Sequence, residues 1–198
     1  VNNNINLIMN LGDFFDGIGG SKRFDYTCAM ENYKLVESAI SVIPRTDGIY
    51  HAVLGGNHDK GILRYGFDPI KVLSDEREDF INLGYTHSTI AFNGFYGILG
   101  QFDIHHPHTF DFPIDFTSSG LDTEKLNSYL DMLYGDLGRS RDDSYIDIFG
   151  HTHKSQFNYP ESYCFLPSLT EGKSKRGACH LRVYFEDNMN KSSDFSIS

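Results

Sequence analysis

The chain alternates between short apolar runs and longer amphipathic stretches, and this alternation predicts an α/β protein. Apolar runs suited to strands occur at Ile5–Leu11, Ile49–Leu54, Phe95–Ile104 and Tyr145–Phe149, each followed by a cluster of polar residues. Short apolar runs bounded in this way mark buried strands. From Phe24 to Ile43, Ala29, Tyr33, Val36, Ile40 and Ile43 recur at three- and four-residue steps, which aligns one face of a helix against a sheet, and Pro44 ends it. Strand, helix, strand is the grammar of an α/β unit.

The pattern continues with a helix predicted from Pro69 to about Leu83, Pro69 in its first turn and Val72, Leu73, Phe80 and Leu83 available for burial. Ser88–Phe92 and Phe95–Ile104 then flank Asn93-Gly94, the favoured two-residue hairpin turn, so antiparallel pairing and mixed sheets are expected. A third helix over Thr123–Tyr134 places Leu126, Leu130 and Leu133 on one side, and the last clear strand is Cys179–Phe185. The segment His106–Gly120 is aperiodic and holds Pro107 and Pro113, which predicts a long ordered loop where substrate contacts belong. Asn2–Asn4 and Asn188–Ser198 are the polar ends. With no internal repeat and no linker, the expectation is one domain over residues 1–198.

Four polar strings follow the strand-like runs: Gly12-Asp13-Phe14-Phe15-Asp16, Gly56-Asn57-His58-Asp59, His105-His106-Pro107 and Gly150-His151-Thr152-His153. They offer carboxylate, carboxamide and imidazole groups, ligands suited to Mn, Fe, Zn or similar divalent ions rather than to soft thiophilic metals. Loops leaving strand ends are where open α/β sheets put their sites. Taken singly the strings are weak, since Gly-Asp is a common turn pair. Together and in order they suggest a dinuclear metal site.

The ordered set resembles the calcineurin-like metallophosphoesterases, whose pattern runs Asp-x-His, Gly-Asp-x-x-Asp, Gly-Asn-His-Asp/Glu, a lone His and Gly-His-x-His. The resemblance spans about Asn4 to His153, and Tyr163–Glu186 is similar to the closing strands of that fold. It implies a four-layer α/β/β/α sandwich with two mixed sheets, two divalent transition-metal ions, and hydrolysis of a phosphomonoester or phosphodiester by a metal-bound hydroxide. Carried onto this sequence, Asp13 bridges the ions, Asn57, His105 and His151 complete the second site, and His153 serves the first. His105 is preferred to His106 because the family's ligand opens its H-x-P string. His58 matches the general acid and Asp59 the residue that orients it through its other ring nitrogen, while Asp16 caps a turn or supports the ligands. No Asp-x-His precedes Gly12, so the expected domain is N-terminally incomplete: its first strand and two ligands are missing, and with them the basis for full activity. Asp103-Ile104-His105 spells the string but falls where the fourth motif belongs.

Composition sharpens the substrate more than the fold. The net charge of -10 and pI near 5.2 mean that a polyanion must be held by metal and local cations such as Lys60 and Arg64. A small phosphate ester is therefore the expected partner, ahead of nucleic acid. A DNA-repair-type nuclease of the same family is the enzymatic alternative, and a non-catalytic interaction module retaining the fold is the alternative from another class. The first string lacks the Val-Asp-Arg-Gly continuation of the protein Ser/Thr phosphatases. Cys28, Cys164 and Cys179 show no paired spacing and read as buried thiols of a reducing, cytoplasmic compartment. No apolar run is long enough to cross a bilayer. His51, His87 and His180 read as packed strand residues.

Overall fold

The computed structural model describes residues 5–17, 26–94, 97–107, 123–140, 146–151, 156–158, 163–165, 181–183 and 195–197. In chain order these form β1 (Leu7–Leu11), α1 (Tyr26–Val42), β2 (Tyr50–Gly55), α2 (Asn57–Ile62), a 3₁₀ turn (Leu63–Tyr65), α3 (Pro69–Glu76) and β3 (Phe80–Tyr85). They continue with β4 (His87–Gly94), β5 (Gly97–His105), α4 (Thr123–Asp136), β6 (Ile146–Phe149), β7 (Gln156–Asn158), β8 (Tyr163–Phe165), β9 (Leu181–Val183) and β10 (Phe195–Ile197).

The fold is mixed α/β. β1, β2 and β3 form a three-stranded sheet whose pairs are both parallel. Helices lie between these strands in sequence, and such crossovers return the chain in the same direction. A five-stranded sheet in the order β4-β5-β6-β8-β7 is mixed: β4 and β7 run antiparallel to their neighbours, while β5, β6 and β8 are parallel. In place of two mixed sheets, the described residues hold one parallel sheet, one mixed sheet and a separate antiparallel pair of β9 and β10.

Strand alternation sorts the core. Val53 of β2 packs with Val36 of α1, Ile62 of α2, Ile70 and Leu73 of α3, and Phe80 of β3. Its neighbour Leu54 turns the other way and joins Leu11 of β1, Phe102 and Ile104 of β5, and Ile146 and Ile148 of β6. On β6, Phe149 packs instead with Leu126, Tyr129, Leu130, Leu133 and Tyr134 of α4. Leu54 and Ile104 are completely buried, each contributing about 1.5–3 kcal/mol by removal from water.

Three local expectations give way to the pairing observed. The helix expected through Leu83 stops at Glu76, and Phe80–Tyr85 is a strand paired with β2. Arg77 explains the break. Its guanidinium, 1% exposed, donates to the carbonyls of Ile40 and Ile43 near the end of α1 and pairs with Asp79 at 2.5 Å. Asp79 in turn passes its carbonyl to the His51 amide at the start of the β2–β3 ladder. Asn93 and Gly94 do not make the hairpin turn, because they are already paired with Ile98 and Gly97. Phe195–Ile197 pairs with β9 inside the segment read as a polar end. Most of the expected substrate loop, residues 108–120, lies outside the described residues, as do Cys179 and His180. Among the described residues, no helix is long and apolar enough to cross a membrane.

Candidate metal centre

Three of the four strings meet at the carboxyl ends of β1, β5 and β6, and the second adds Asn57 and His58 at the start of α2. The backbone there is under tension. Gly12, at φ 104°, lies so close to the His106 ring that a Cβ would collide with it, so glycine is required. Asp13 (φ 54°) and His151 (φ 70°) are two of the three non-glycine residues with left-handed backbone among the described residues. Such conformations cost roughly 1–3 kcal/mol each and cluster where geometry serves a site.

His106, 2% exposed, is the centre of the arrangement. Its Nδ1 lies 2.7 Å from the Leu11 carbonyl, which only accepts, so Nδ1 carries the hydrogen and Nε2 faces the site. Around Nε2 stand Asn57 Oδ1 at 3.0 Å, His151 Nδ1 at 3.2 Å and Asp13 Oδ2 at 3.3 Å. Carboxylate and carboxamide oxygens are acceptors, and on neutral His106 Nε2 is a lone pair as well. The two oxygens and the Nε2 lone pair repel one another unless a hydrogen or a cation stands among them: an N–H on His151 Nδ1, a proton on His106 Nε2, or a metal ion. Asp13, His106 and His151 each offer one ligand atom, all within 4.8 Å of one another, the reach needed to hold one ion. The Leu11 carbonyl is the outer partner that fixes ring and tautomer, as metal-ligating histidines require.

Asp13 is held from its other side by the His58 amide, which donates to Oδ1 at 2.9 Å. Burial pushes its carboxyl up, but the His106 ring, the His58 amide and the charge on His58 outweigh burial and leave its pKa below the ordinary value. The His58 ring is partly exposed, with Nδ1 2.8 Å from Asp16 Oδ1. Burial opposes charge on His58, yet Asp13 and Asp16 prevail and its pKa is raised.

Two expected roles change hands here. Asp59 makes no bond to the His58 ring among the described contacts. Fully buried, it accepts from the amides of Phe15 at 2.7 Å, Gly56 at 2.8 Å and Phe14 at 3.0 Å. It therefore ties the loop after β1 to the start of α2, and burial raises its pKa to about 6 against the pull of those amides. The residue that touches the His58 ring is Asp16. The second correction is His105, which faces away from Asp13. Completely buried, it places Nε2 2.8 Å from Asp147 and stacks on Phe149. Residues 102, 104 and 106 share one side of β5 and its extension, and residues 103 and 105 share the other. The apolar pair Phe102 and Ile104 was the available signal that His106 falls on the site side.

Of the remaining candidates, His153 lies outside the described residues. His51 stacks on Phe80 with centroids 4.6 Å apart, and the Arg64 guanidinium lies over the Tyr65 ring. No protein-family model, curated protein or solved structure matches this chain.

Proposed function

We propose that this protein is a metal-dependent phosphoric ester hydrolase of the calcineurin-like kind, holding a divalent transition-metal ion through Asp13, Asn57, His106 and His151. The observation that carries the reading is the convergence of Asp13 Oδ2, Asn57 Oδ1 and His151 Nδ1 on His106 Nε2, with the ligand atoms of Asp13, His106 and His151 all within 4.8 Å of one another, while the opposite ring nitrogen of His106 is committed to Leu11. The order of the four strings along the chain supports the same class. So does the apolar cluster shared by Leu11 and Leu54 with Phe102, Ile104, Ile146 and Ile148, which suits the central layer of an α/β/β/α sandwich. The second ion implied by the resemblance would need His153 and further ligands.

When bound, a divalent ion supplies Lewis acidity to the phosphate ester and to water. The chain's own part is positioning and proton transfer. Asp13 and His106 hold their ligand atoms in place through the His58 amide and the Leu11 carbonyl. His58, charged more readily than a free histidine, gives its proton to the leaving oxygen, and Asp16 holds its Nδ1.

Elemental analysis of protein purified without chelator and supplemented with Mn or Zn is expected to find at least one equivalent of metal. Hydrolysis of bis-p-nitrophenyl phosphate should then depend on the added ion. Metal at background defeats the metal centre; metal without hydrolysis of this or a monoester substrate defeats the hydrolase and favours the interaction module.

A further inference from the structure

The face of β5 and β6 turned toward α4 holds a second cluster of titratable side chains. Asp103 on β5 and Asp147 on β6 are direct register partners, so two buried carboxylates lie side by side. Tyr134 Oη reaches both, at 2.7 Å from Asp147 and 2.9 Å from Asp103. Arg139 approaches Asp103 at 3.4 Å, and His105 Nε2 donates to Asp147 at 2.8 Å. The Tyr129 hydroxyl lies 3.4 Å from the other ring nitrogen of His105. Buried ionic groups are costly to assemble, and well-packed apolar replacements are often as stable or more so. Stability alone is therefore a poor account of this network.

Its location suggests another. The His105 side chain is tied to β6 through Asp147, and its carbonyl accepts from the Gly150 amide at 2.9 Å, one residue before His151. The next residue, His106, points to the opposite face and meets Asp13 and His151. One residue thus clamps the ends of both ligand-bearing strands. We propose that His105, held by Asp147 and Tyr134, is a positioning residue for the metal centre, setting the ends of β5 and β6 so that His106 and His151 meet at Asp13. This rests on the metal reading above.

The test is metal affinity, measured by competition with a chelating dye for Mn and Zn, together with the visible absorption of the Co-loaded protein. The variants are His105→Leu, His105→Gln and Tyr134→Phe, with folding checked by circular dichroism. His105→Leu is expected to weaken binding by roughly 10-fold, the low end of the range for direct outer partners because His105 acts through the strand ends rather than on a ligand, and to change the Co spectrum. His105→Gln keeps a donor for Asp147 and should recover most of the affinity. Folded His105→Leu with wild-type affinity and spectrum overturns the positioning role, as does a Gln variant no better than Leu. If the Leu variant does not fold, Tyr134→Phe decides: weakened affinity supports the proposal and unchanged affinity overturns it. Wild-type protein that binds no metal overturns the metal centre itself, a different result from either.

Discussion

His105 and His106 are chain neighbours of the same type, buried to nearly the same extent, and they sit in opposite chemical worlds. On the α4 side, His105 belongs to a network answered within the protein: its ring donates to Asp147, the single Tyr134 hydroxyl hydrogen lies within reach of Asp147 and Asp103, and Arg139 stands 3.4 Å from Asp103. On the other side, His106 presents Nε2 to Asp13, Asn57 and His151, and the Asp13, His106 and His151 ligand atoms lie close enough together to hold one cation. The Arg77–Asp79 pair resembles the first case, a buried charge answered by carboxylate and carbonyls. Burial of a polar group therefore does not mark function. What separates the two regions is whether donors and acceptors balance within the protein.

That contrast is exposed to direct tests. The largest effect is expected at the open site. His58→Ala should lower kcat by roughly 10²- to 10⁴-fold with metal content nearly unchanged. The deficit should be smaller for p-nitrophenolate leaving groups, which need no proton. Loss of metal, or equal slowing of good and poor leaving groups, would make His58 a ligand or an electrostatic element instead.

A closed network should behave in the opposite way. Arg77→Ala removes one partner of a buried pair and leaves Asp79 and the α1 carbonyls unanswered, so urea unfolding should show a loss of about 3–5 kcal/mol. A loss below 1 kcal/mol would mean that the network is slack and the contrast overdrawn. His151→Gly sharpens the comparison from the other end. In chelator it should leave stability unchanged or raise it by about 1 kcal/mol, because glycine adopts φ 70° without strain, while metal binding collapses. Marked destabilisation in chelator would indicate that His151 serves packing.

The smallest effect is a slope with pH. Burial lowers the pKa of His51, opposed by Asp79 and aided by Arg77. The folded chain thus takes up that proton less readily than the unfolded one. Stability should be intact above the unfolded value near 6.5 and fall as pH drops from there toward the lower folded value. His51→Gln should flatten the unfolding free energy across that window, and an unchanged slope would assign it to other groups such as His87, whose pKa burial also lowers.

The sequence by itself determined the α/β class, the positions of α1, β2, α4 and β6 to within a few residues, and the strings that supply Asp13, Asn57 and His151. Those features are local: apolar period, proline, and glycine before a polar residue. Tertiary structure alone decided the rest. Whether residues 77–85 were helix or strand depended on a guanidinium reaching carbonyls more than thirty positions away. That residues 102, 104 and 106 share a side was legible in the strand alternation, but that this side, with Phe102 and Ile104, meets Leu11 and Leu54 of the three-stranded sheet and so turns His106 to Asp13 came only with packing. Asp59, read as a partner of His58, instead gathers amides from a loop over forty residues distant, a bond no spacing announces. In each case the deciding interaction joins groups far apart in sequence, and its energy exists only once the sheets and helices have packed.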